Sequence, residues 1–433
     1  MTATFGLNTL LVLFLVYWAQ GFKQFGILAV TFYYKETLKL SASTTQFIRT
    51  VTYIAWFVKP FYGILSDNIP VFGFHRKSYL TLSGLAGVVS SFSLFFIEDS
   101  VYSCLALLVS EFSGAVSDVV ADGIMVQESR KDPKEGSENL QSFCWMVLSL
   151  GGLIGAPLGG VALDHIAPKY ILGSLFVCPL LLLFAANSLH EEPSTPSFST
   201  VQTKLKDLFG AFKEPSIVKP MSFMFFARAC SPSYPELTIY FMKDELEFSA
   251  TFMSLMGLVG YLSLGIGSFM YKKFLKGWSF PKILGWGQVL LAFVGVLDLL
   301  LVTKAFELLN IPATLFALGG DSVSSVVNFT FSSMPFMVLS AKLCPEGCEA
   351  TLFALFSSVI NLSFATSILL GGVLTELFQV DTNNYEYIWL LMTIRIVTRL
   401  LPFFMLGLLP KPDKEEEYFI EFEVLDEPFN SVT

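Results

Sequence analysis

Two aspartates, Asp118 and Asp122, stand one helical turn apart in "GAVSDVVADG" (residues 114–123), a stretch otherwise made of apolar and small residues. Glu111 precedes them, so the three carboxylates fall at i, i+7 and i+11, one stripe of a helix. An isolated charge in hydrocarbon costs about 2.5–3.5 kcal/mol on insertion scales. Such groups must therefore face water, a cation or a ligand. Cations with the same problem are Lys23 and Arg228, and Asp321 is a fourth carboxylate in apolar surroundings. Around Lys23, the residues Tyr17, Gln20 and Gln24 recur at helical spacing. Asp321, Ser325 and Asn328 fall at i, i+4 and i+7, again one face. The chemistry available is the holding of a polar or charged ligand, with protons carried by whichever carboxylate is driven towards its neutral form by burial.

The elements that carry these residues are membrane spans. Of 433 residues, 53% are hydrophobic and 15% charged, against about 25% charged in a soluble domain. A span needs about 20 predominantly apolar residues, and twelve segments qualify: 7–34, 43–66, 78–97, 101–126, 140–166, 168–189, 217–242, 249–272, 282–302, 311–340, 350–378 and 385–409. The N-terminal run lacks a basic flank and is too long for a signal peptide, so it is taken as the first span. With the N-terminus in the cytosol, about sixteen Lys and Arg fall in inner loops and about five in outer ones, the asymmetry of a protein with both termini inside.

The longest loop, 190–216, separates an N-terminal half (1–189) from a C-terminal half (217–409). Its segment "KLKDLFGAFK" has the pattern of a short interfacial helix. Residues 410–433 form an acidic cytosolic tail with the composition of a solvated segment. The halves carry matching signatures. "EGSE" (135–138) and "EGCE" (346–349) are each followed about 20 residues on by "LGGV", at 158–161 and 370–373. Corresponding placement in two halves marks a duplicated six-helix unit. The expected fold is an all-α membrane protein of twelve transmembrane helices in two six-helix repeats, with both termini cytosolic.

That layout is the major facilitator architecture, in which spans one, four, seven and ten line a central cavity. Lys23, Glu111, Arg228 and Asp321 supply one ionisable residue near mid-depth in each of those four spans. Prolines 232 and 235 should interrupt span seven and free carbonyls towards the cavity. Gly151, Gly155 and Gly159 form a small-residue ridge suited to close helix packing. Arg49 and Asp298 sit near span ends, where they can snorkel. Arg395 and Arg399 share a face of span twelve and are expected to form structural pairs.

Several segments carry a more specific resemblance. "SDVVADG" (117–123), "KPFYGILSDNIPVFGFHRKSYL" (59–80), "LCPEGCEATLFALFSSVINL" (343–362) and "QGF" (20–22) are similar, in order, to segments of the folate-biopterin transporter family. The motif positions are Lys59, Pro60, Gly63, Asp67, Arg76, Asp118, Asp122, Pro345, Glu346, Gly347 and Glu349. The resemblance implies secondary active transport of folates or pterins by alternating access, coupled to protons. Some members look like carriers of other metabolites such as S-adenosylmethionine.

From depth and helical face, read beside that resemblance, the substrate-binding candidates are Gln20, Lys23, Glu111, Asp118, Arg228, Asp321, Ser325 and Asn328; Arg228 matches no motif of the family and rests on position alone. Glu111, Asp118 and Asp321 are the alternatives for carrying the proton. Asp67, Arg76, Glu346 and Glu349, joined by Asp122, are expected as a cytosolic gate. A carboxylate can accept the adjacent N–H donors of a pterin ring as a bidentate pair, and the cations suit a folate's carboxylates. The partners expected are a folate or pterin, protons and the lipid bilayer, with function as a monomer. The membrane itself, plasma or organelle, is left open. No basic patch suggests nucleic acid. His75, His165 and His190 are far apart and form no constellation with Ser or Cys, which argues against an enzyme. The scattered cysteines give no disulfide framework, and Cys344 and Cys348 lack partner histidines, so neither a metal nor a cofactor is expected. A non-transporting receptor with the same fold is the alternative of a different class.

Overall fold

The computed structural model describes residues 2–129, 131–132, 136–193, 213–275, 277–343, 349–382 and 384–410, with isolated linker positions 202, 206 and 210. The acidic tail, "PEGC" at 345–348 and seven of the ten residues of "KLKDLFGAFK" lie outside the described residues. Among those described, every regular element is helical, apart from two isolated bridges in turns. The main helices are α1 (Leu7–Phe22), α2 (Gln24–Phe32), α3 (Ala42–Thr52), α4 (Lys59–Asn68), α5 (Arg76–Ser93), α6 (Ser100–Ser129), α7 (Gly136–Leu163), α8 (Pro168–Ser174) and α9 (Val177–Ser188). They continue as α10 (Pro215–Ala229), α11 (Pro235–Asp244), α12 (Ala250–Met270), α13 (Phe280–Val302), α14 (Ala313–Asn328), α15 (Met334–Lys342), α16 (Glu349–Leu377) and α17 (Ile388–Thr398).

Nine helical runs among the described residues are long and apolar enough to cross a bilayer. Three of the twelve expected segments are not among them, for two reasons. Segment 43–66 is interrupted near Tyr53 and Val58, and segment 217–242 near Pro232, so neither is one long helix. Segment 78–97 forms α5, which is continuous but rich in serine and glycine. Broken helices remain compatible with a membrane where neighbours satisfy the exposed backbone.

The chain divides into two compact units. Unit 1 comprises 1–41, 51–206 and 249–258; unit 2 comprises 42–50, 207–248 and 259–433. Unit 1 is built on a core that includes Val12, Leu13, Val16, Leu80, Val120, Leu140 and Leu182, contributed by α1, α5, α6, α7 and α9. Unit 2 has a core around Tyr234, Leu237, Tyr240, Phe241, Ile388 and Leu391.

The duplicated "LGGV" segments do the same work in each unit. Gly151, Gly155 and Gly159 of α7 lie against the backbone of Trp18, Phe22 and Phe25, so α7 packs directly on α1 and α2. In unit 2, Gly371 of α16 lies against the Ser233 carbonyl. The next glycine also corresponds: Gly160 meets Ser254 and Ala250, and Gly372 meets Phe47 and Gln46. Five residues after Gly159 and Gly371 stand Asp164 and Glu376. Asp164 accepts the Ala250 and Thr251 amides at 2.9 and 3.1 Å and the Thr251 hydroxyl at 2.6 Å, capping α12. Glu376 accepts the Ser43 hydroxyl at 2.5 Å, and Asp381 accepts the Ala42 amide at 3.3 Å, at the start of α3.

A Cβ at position 371 would overlap the Ser233 carbonyl, which is backbone and cannot turn away. Gly371→Val is expected to cost about 1–3 kcal/mol through overpacking. Gly257→Ala, where a Cβ meets nothing within 4 Å, serves as the control. Thermal unfolding of the two purified variants checks this: the first midpoint should fall by several degrees and the second should not fall, since alanine is the better helix former.

Candidate functional site

In unit 1 the charged residues meet where α1, α4 and α6 approach. Lys23 lies in the irregular step between α1 and α2, where the Gly26 amide bonds back to the Lys23 carbonyl at 3.0 Å. The Lys23 ammonium donates to the Ser110 carbonyl at 3.2 Å. Gly114 makes room for it, since a Cβ there would lie 2.7 Å from Lys23 Nζ. Trp56, in a single helical turn between α3 and α4, donates its indole N–H to Glu111 Oε2 at 2.7 Å. Lys59, one turn further on, forms an ion pair with Asp118 and holds its ammonium 5.2 Å from the centroid of the Trp56 ring. Tyr17 donates to Asp122 Oδ1 at 2.6 Å.

Three carboxylates, two ammonium groups, an indole and a phenol thus lie in one region of unit 1. Lys59 and Asp118 each keep only 13% of their side-chain surface exposed. In a buried pair of this kind the mutual attraction is largely consumed in offsetting two desolvation penalties, so removing one partner costs far more than the pair contributes. Gln20 lines a small cavity of about 10 Å³ with Lys23, Ser110 and Ser117. Its Nε2 is buried without a hydrogen-bond partner among the described residues. Among the expected residues, Lys23, Glu111 and Asp118 are therefore brought together. Tyr17 and Trp56 are the additions. Tyr17 was legible as part of the polar face of span one, and Trp56 stands one turn before Lys59.

Asp67 and Arg76 form a separate ion pair, 2.5 Å apart. Gly123 packs beneath the guanidinium: a Cβ there would lie 2.6 Å from Arg76 Cζ. Glu191 caps α5 by accepting the His75, Arg76 and Lys77 amides at 2.8–3.0 Å. Asp122 bonds Tyr17 instead of joining the Asp67–Arg76 pair. Glu346 and the Glu349 side chain lie outside the described residues.

Unit 2 holds a larger cavity, about 250 Å³, between α10, α13, α14, α16 and α17. Arg228, Asp298, Arg395 and Arg399 supply its charges, and Asn328 with serines that include Ser231, Ser324 and Ser325 its neutral polar groups. Ser325 and Asn328 reach it as the helical spacing predicts, while Asp321 is not among its lining residues. The Arg228 guanidinium stacks 5.5 Å from the Phe364 ring centroid.

Three expectations require correction. Arg49 does not snorkel; its Nε pairs with the buried Glu236 at 3.3 Å. Asp298 does not snorkel either, because Arg395 Nη1 reaches its Oδ2 at 3.1 Å across α13 and α17. The break at Pro232 and Pro235 is present, but two of its backbone groups go to α16. Ser367 Oγ donates to the Ser231 carbonyl at 2.5 Å, and the Ser233 amide donates to the Ser367 carbonyl at 3.0 Å. Cys104, Cys144, Cys178 and Cys230 are free thiols.

Polar clusters carried on long apolar helices belong to a multi-pass membrane protein, and its fold is that of the major facilitators. The solved structures agree. A point mutant of the nucleoside transporter NupG superposes with a TM-score of 0.69 at 14% identity, covering 92% of this chain and 99% of that one. The inward-open xylose transporter XylE from E. coli gives 0.67 at 14% identity, covering 97% and 100%.

Residues 20–420 match the model of the BT1 family, and the chain belongs to that family. A folate-biopterin transporter from Synechocystis sp. is 34% identical over 94% of this chain and 82% of its own length. Probable folate-biopterin transporter 4 of Arabidopsis thaliana is 28% identical over 95% and 97%. The chain is an integral, multi-pass membrane protein of a family of transporters, not of enzymes.

Lys59→Met leaves the Asp118 charge buried without its cation, and is expected to destabilise by about 3–5 kcal/mol. The double variant Lys59→Met/Asp118→Asn removes both charges and should recover most of that loss. Thermal unfolding of the three proteins tests the assignment; a double variant no more stable than Lys59→Met alone would refute it.

Proposed function

We propose that the chain is a twelve-span carrier with both termini in the cytosol. It moves folates or pterins by alternating access, coupled to protons. The observation that carries the choice of cargo is the Trp56–Glu111 and Lys59–Asp118 arrangement in unit 1. There the Trp56 indole joins two carboxylates through a chain of contacts: its N–H meets Glu111, and its ring lies beside the Lys59 ammonium that pairs with Asp118.

A pterin is a flat heteroaromatic ring with adjacent N–H donors. The indole supplies a stacking surface, and Glu111 is the carboxylate placed to accept the donors as a bidentate pair. The names of the Synechocystis and Arabidopsis relatives support the same cargo.

Asp118 has a resident cation in Lys59, whose departure would leave the carboxylate to accept a proton. Glu111 is held only by a neutral donor among the described contacts and can exchange that donor for a ligand. Asp321 remains the third candidate proton carrier. Gln20 and Lys23 complete the cargo contacts in unit 1, and Arg228, Asp321, Ser325 and Asn328 are the candidates in unit 2. The Asp67–Arg76 pair, with Glu346 and Glu349, is assigned to the cytosolic gate. Function as a monomer completes the proposal.

A competition uptake panel decides the cargo. Folic acid, methyltetrahydrofolate, biopterin and S-adenosylmethionine are each tested against a labelled pteridine in reconstituted vesicles. Pteridines should compete and S-adenosylmethionine should not; the reverse order would discard the proposal. Glu111→Gln is expected to lower uptake at least tenfold with membrane expression unchanged. Collapsing the pH gradient with a protonophore should slow uptake severalfold. Indifference to the gradient would reduce the carrier to facilitated diffusion.

A further inference from the structure

The unit 2 cavity has properties that recognition of a neutral ring does not need. Its volume, about 250 Å³, far exceeds the roughly 10–15 Å³ that a single water requires. Its wall presents three guanidinium groups, Arg228 from α10 and Arg395 and Arg399 from α17, against the single carboxylate of Asp298. Serine hydroxyls and the Asn328 amide add neutral donors.

These guanidinium groups are not equivalent. Arg395 is already held by Asp298 at 3.1 Å, and Arg228 lies against Phe364. Arg399 stands one turn beyond Arg395 on the same helical face, and its Nε is buried with no hydrogen-bond partner among the described residues. A guanidinium presents a planar fork of donors that matches a carboxylate in two parallel bonds. Asp298 on Arg395 shows that a carboxylate is accepted by a guanidinium inside this very cavity.

We propose that the cavity of unit 2 is a carboxylate-binding site. Arg399, together with Arg228, receives an anionic group of the cargo, and Asp298 positions Arg395 and keeps the wall from being wholly cationic. The assignment deepens the proposed function and rests on it in one respect: among the candidate cargoes, a folate's glutamyl tail bears carboxylates and an unconjugated pterin does not. Arg399 is therefore the residue that distinguishes conjugated from unconjugated pteridines.

Two measurements on the full-length protein in lipid nanodiscs test this. In the first, phenylglyoxal labels the arginines, and peptide mass spectrometry reports the rate at each position. Glutarate should slow labelling of Arg399 at least threefold and leave Arg49 unchanged. Equal protection by inorganic phosphate would overturn the carboxylate assignment, and no protection by glutarate would overturn the site. In the second, competition binding compares folic acid with biopterin. Arg399→Gln should weaken folic acid at least tenfold and biopterin less than twofold, with partial recovery in Arg399→Lys. An equal loss for both ligands means a merely structural arginine and refutes the proposal.

Failures of the two proposals separate cleanly. Glutarate protection without pteridine binding by the wild type would discard the pteridine cargo and keep the anion site. Pteridine binding without glutarate protection would do the opposite. Because labelling uses the wild-type chain, the test survives a variant that does not fold.

Discussion

Charge inside a core of apolar helices has to be answered, by other protein groups or by a ligand, and that requirement organises both units. In unit 1, α1 and α6 carry Lys23 and three carboxylates into the packed interior, and each has an identified partner among the described residues. Lys23 takes the Ser110 carbonyl, Glu111 the Trp56 indole, Asp118 the Lys59 ammonium and Asp122 the Tyr17 hydroxyl. The penalty of several kcal/mol for each buried ion is thereby distributed over four contacts between helices. Removing one member leaves its partner exposed to the whole penalty. Such contacts can stabilise the bundle and still be exchanged for a ligand of matching chemistry, because a cargo's own donors and acceptors replace those that are lost.

The duplicated scaffold explains where the breaks fall. Gly159 and Gly371 allow α7 and α16 to touch the backbone of Phe25, just beyond the irregular step in α1–α2, and of Ser233, within the break in α10–α11. Counting back five residues from each contact reaches Gln20 in one unit and Arg228 in the other. The same location therefore carries a neutral amide in unit 1 and a guanidinium in unit 2. The cavities differ in the same sense. The one beside Gln20 has room for about one water, at about 10 Å³, and the one beside Arg228 is about 250 Å³ and lined by three arginines.

Much of this was legible in the sequence, because two of its signals are strong. Apolar segment length reveals a helical membrane protein, the repeated "LGGV" points to the same packing role in both units, and the glycine ridge marks a backbone contact. Intramembrane charge picks out Lys23, Glu111, Asp118 and Arg228 without any geometry. What one-dimensional spacing cannot supply is the partner on another helix. Asp298 and Arg395 are nearly a hundred residues apart (|i−j| of 97), and depth alone made Asp298 look like a snorkelling end residue. Arg49 was misplaced for the same reason, since its partner Glu236 lies in a distant segment. Asp122 matched the gate by proximity to the loop, yet the nearer claim on it is the Tyr17 hydroxyl. Broken helices were also hidden. Hydropathy sums over 43–66 and 217–242 without registering where the hydrogen-bond ladder stops.

The break in α10–α11 shows how such an interruption can be kept inside a membrane protein and put to use. Pro232 and Pro235 cannot donate to a ladder, so the carbonyls and amides around them need other partners. Ser367 of α16 supplies both a donor, to the Ser231 carbonyl, and an acceptor, for the Ser233 amide. One serine thus satisfies two sides of the gap and locks α16 to it, beside the Gly371 contact. With those groups taken by protein, the polar face left to the cavity is made of side chains: the serines, Asn328 and the arginines. Side chains can change partners when a ligand arrives, whereas backbone groups committed to a structural bond cannot. The rigid closure of the break and the groups able to change partners are therefore supplied by different residues: Ser231, Ser233 and Ser367 close the gap, while Asn328 and the arginines are left to the cavity.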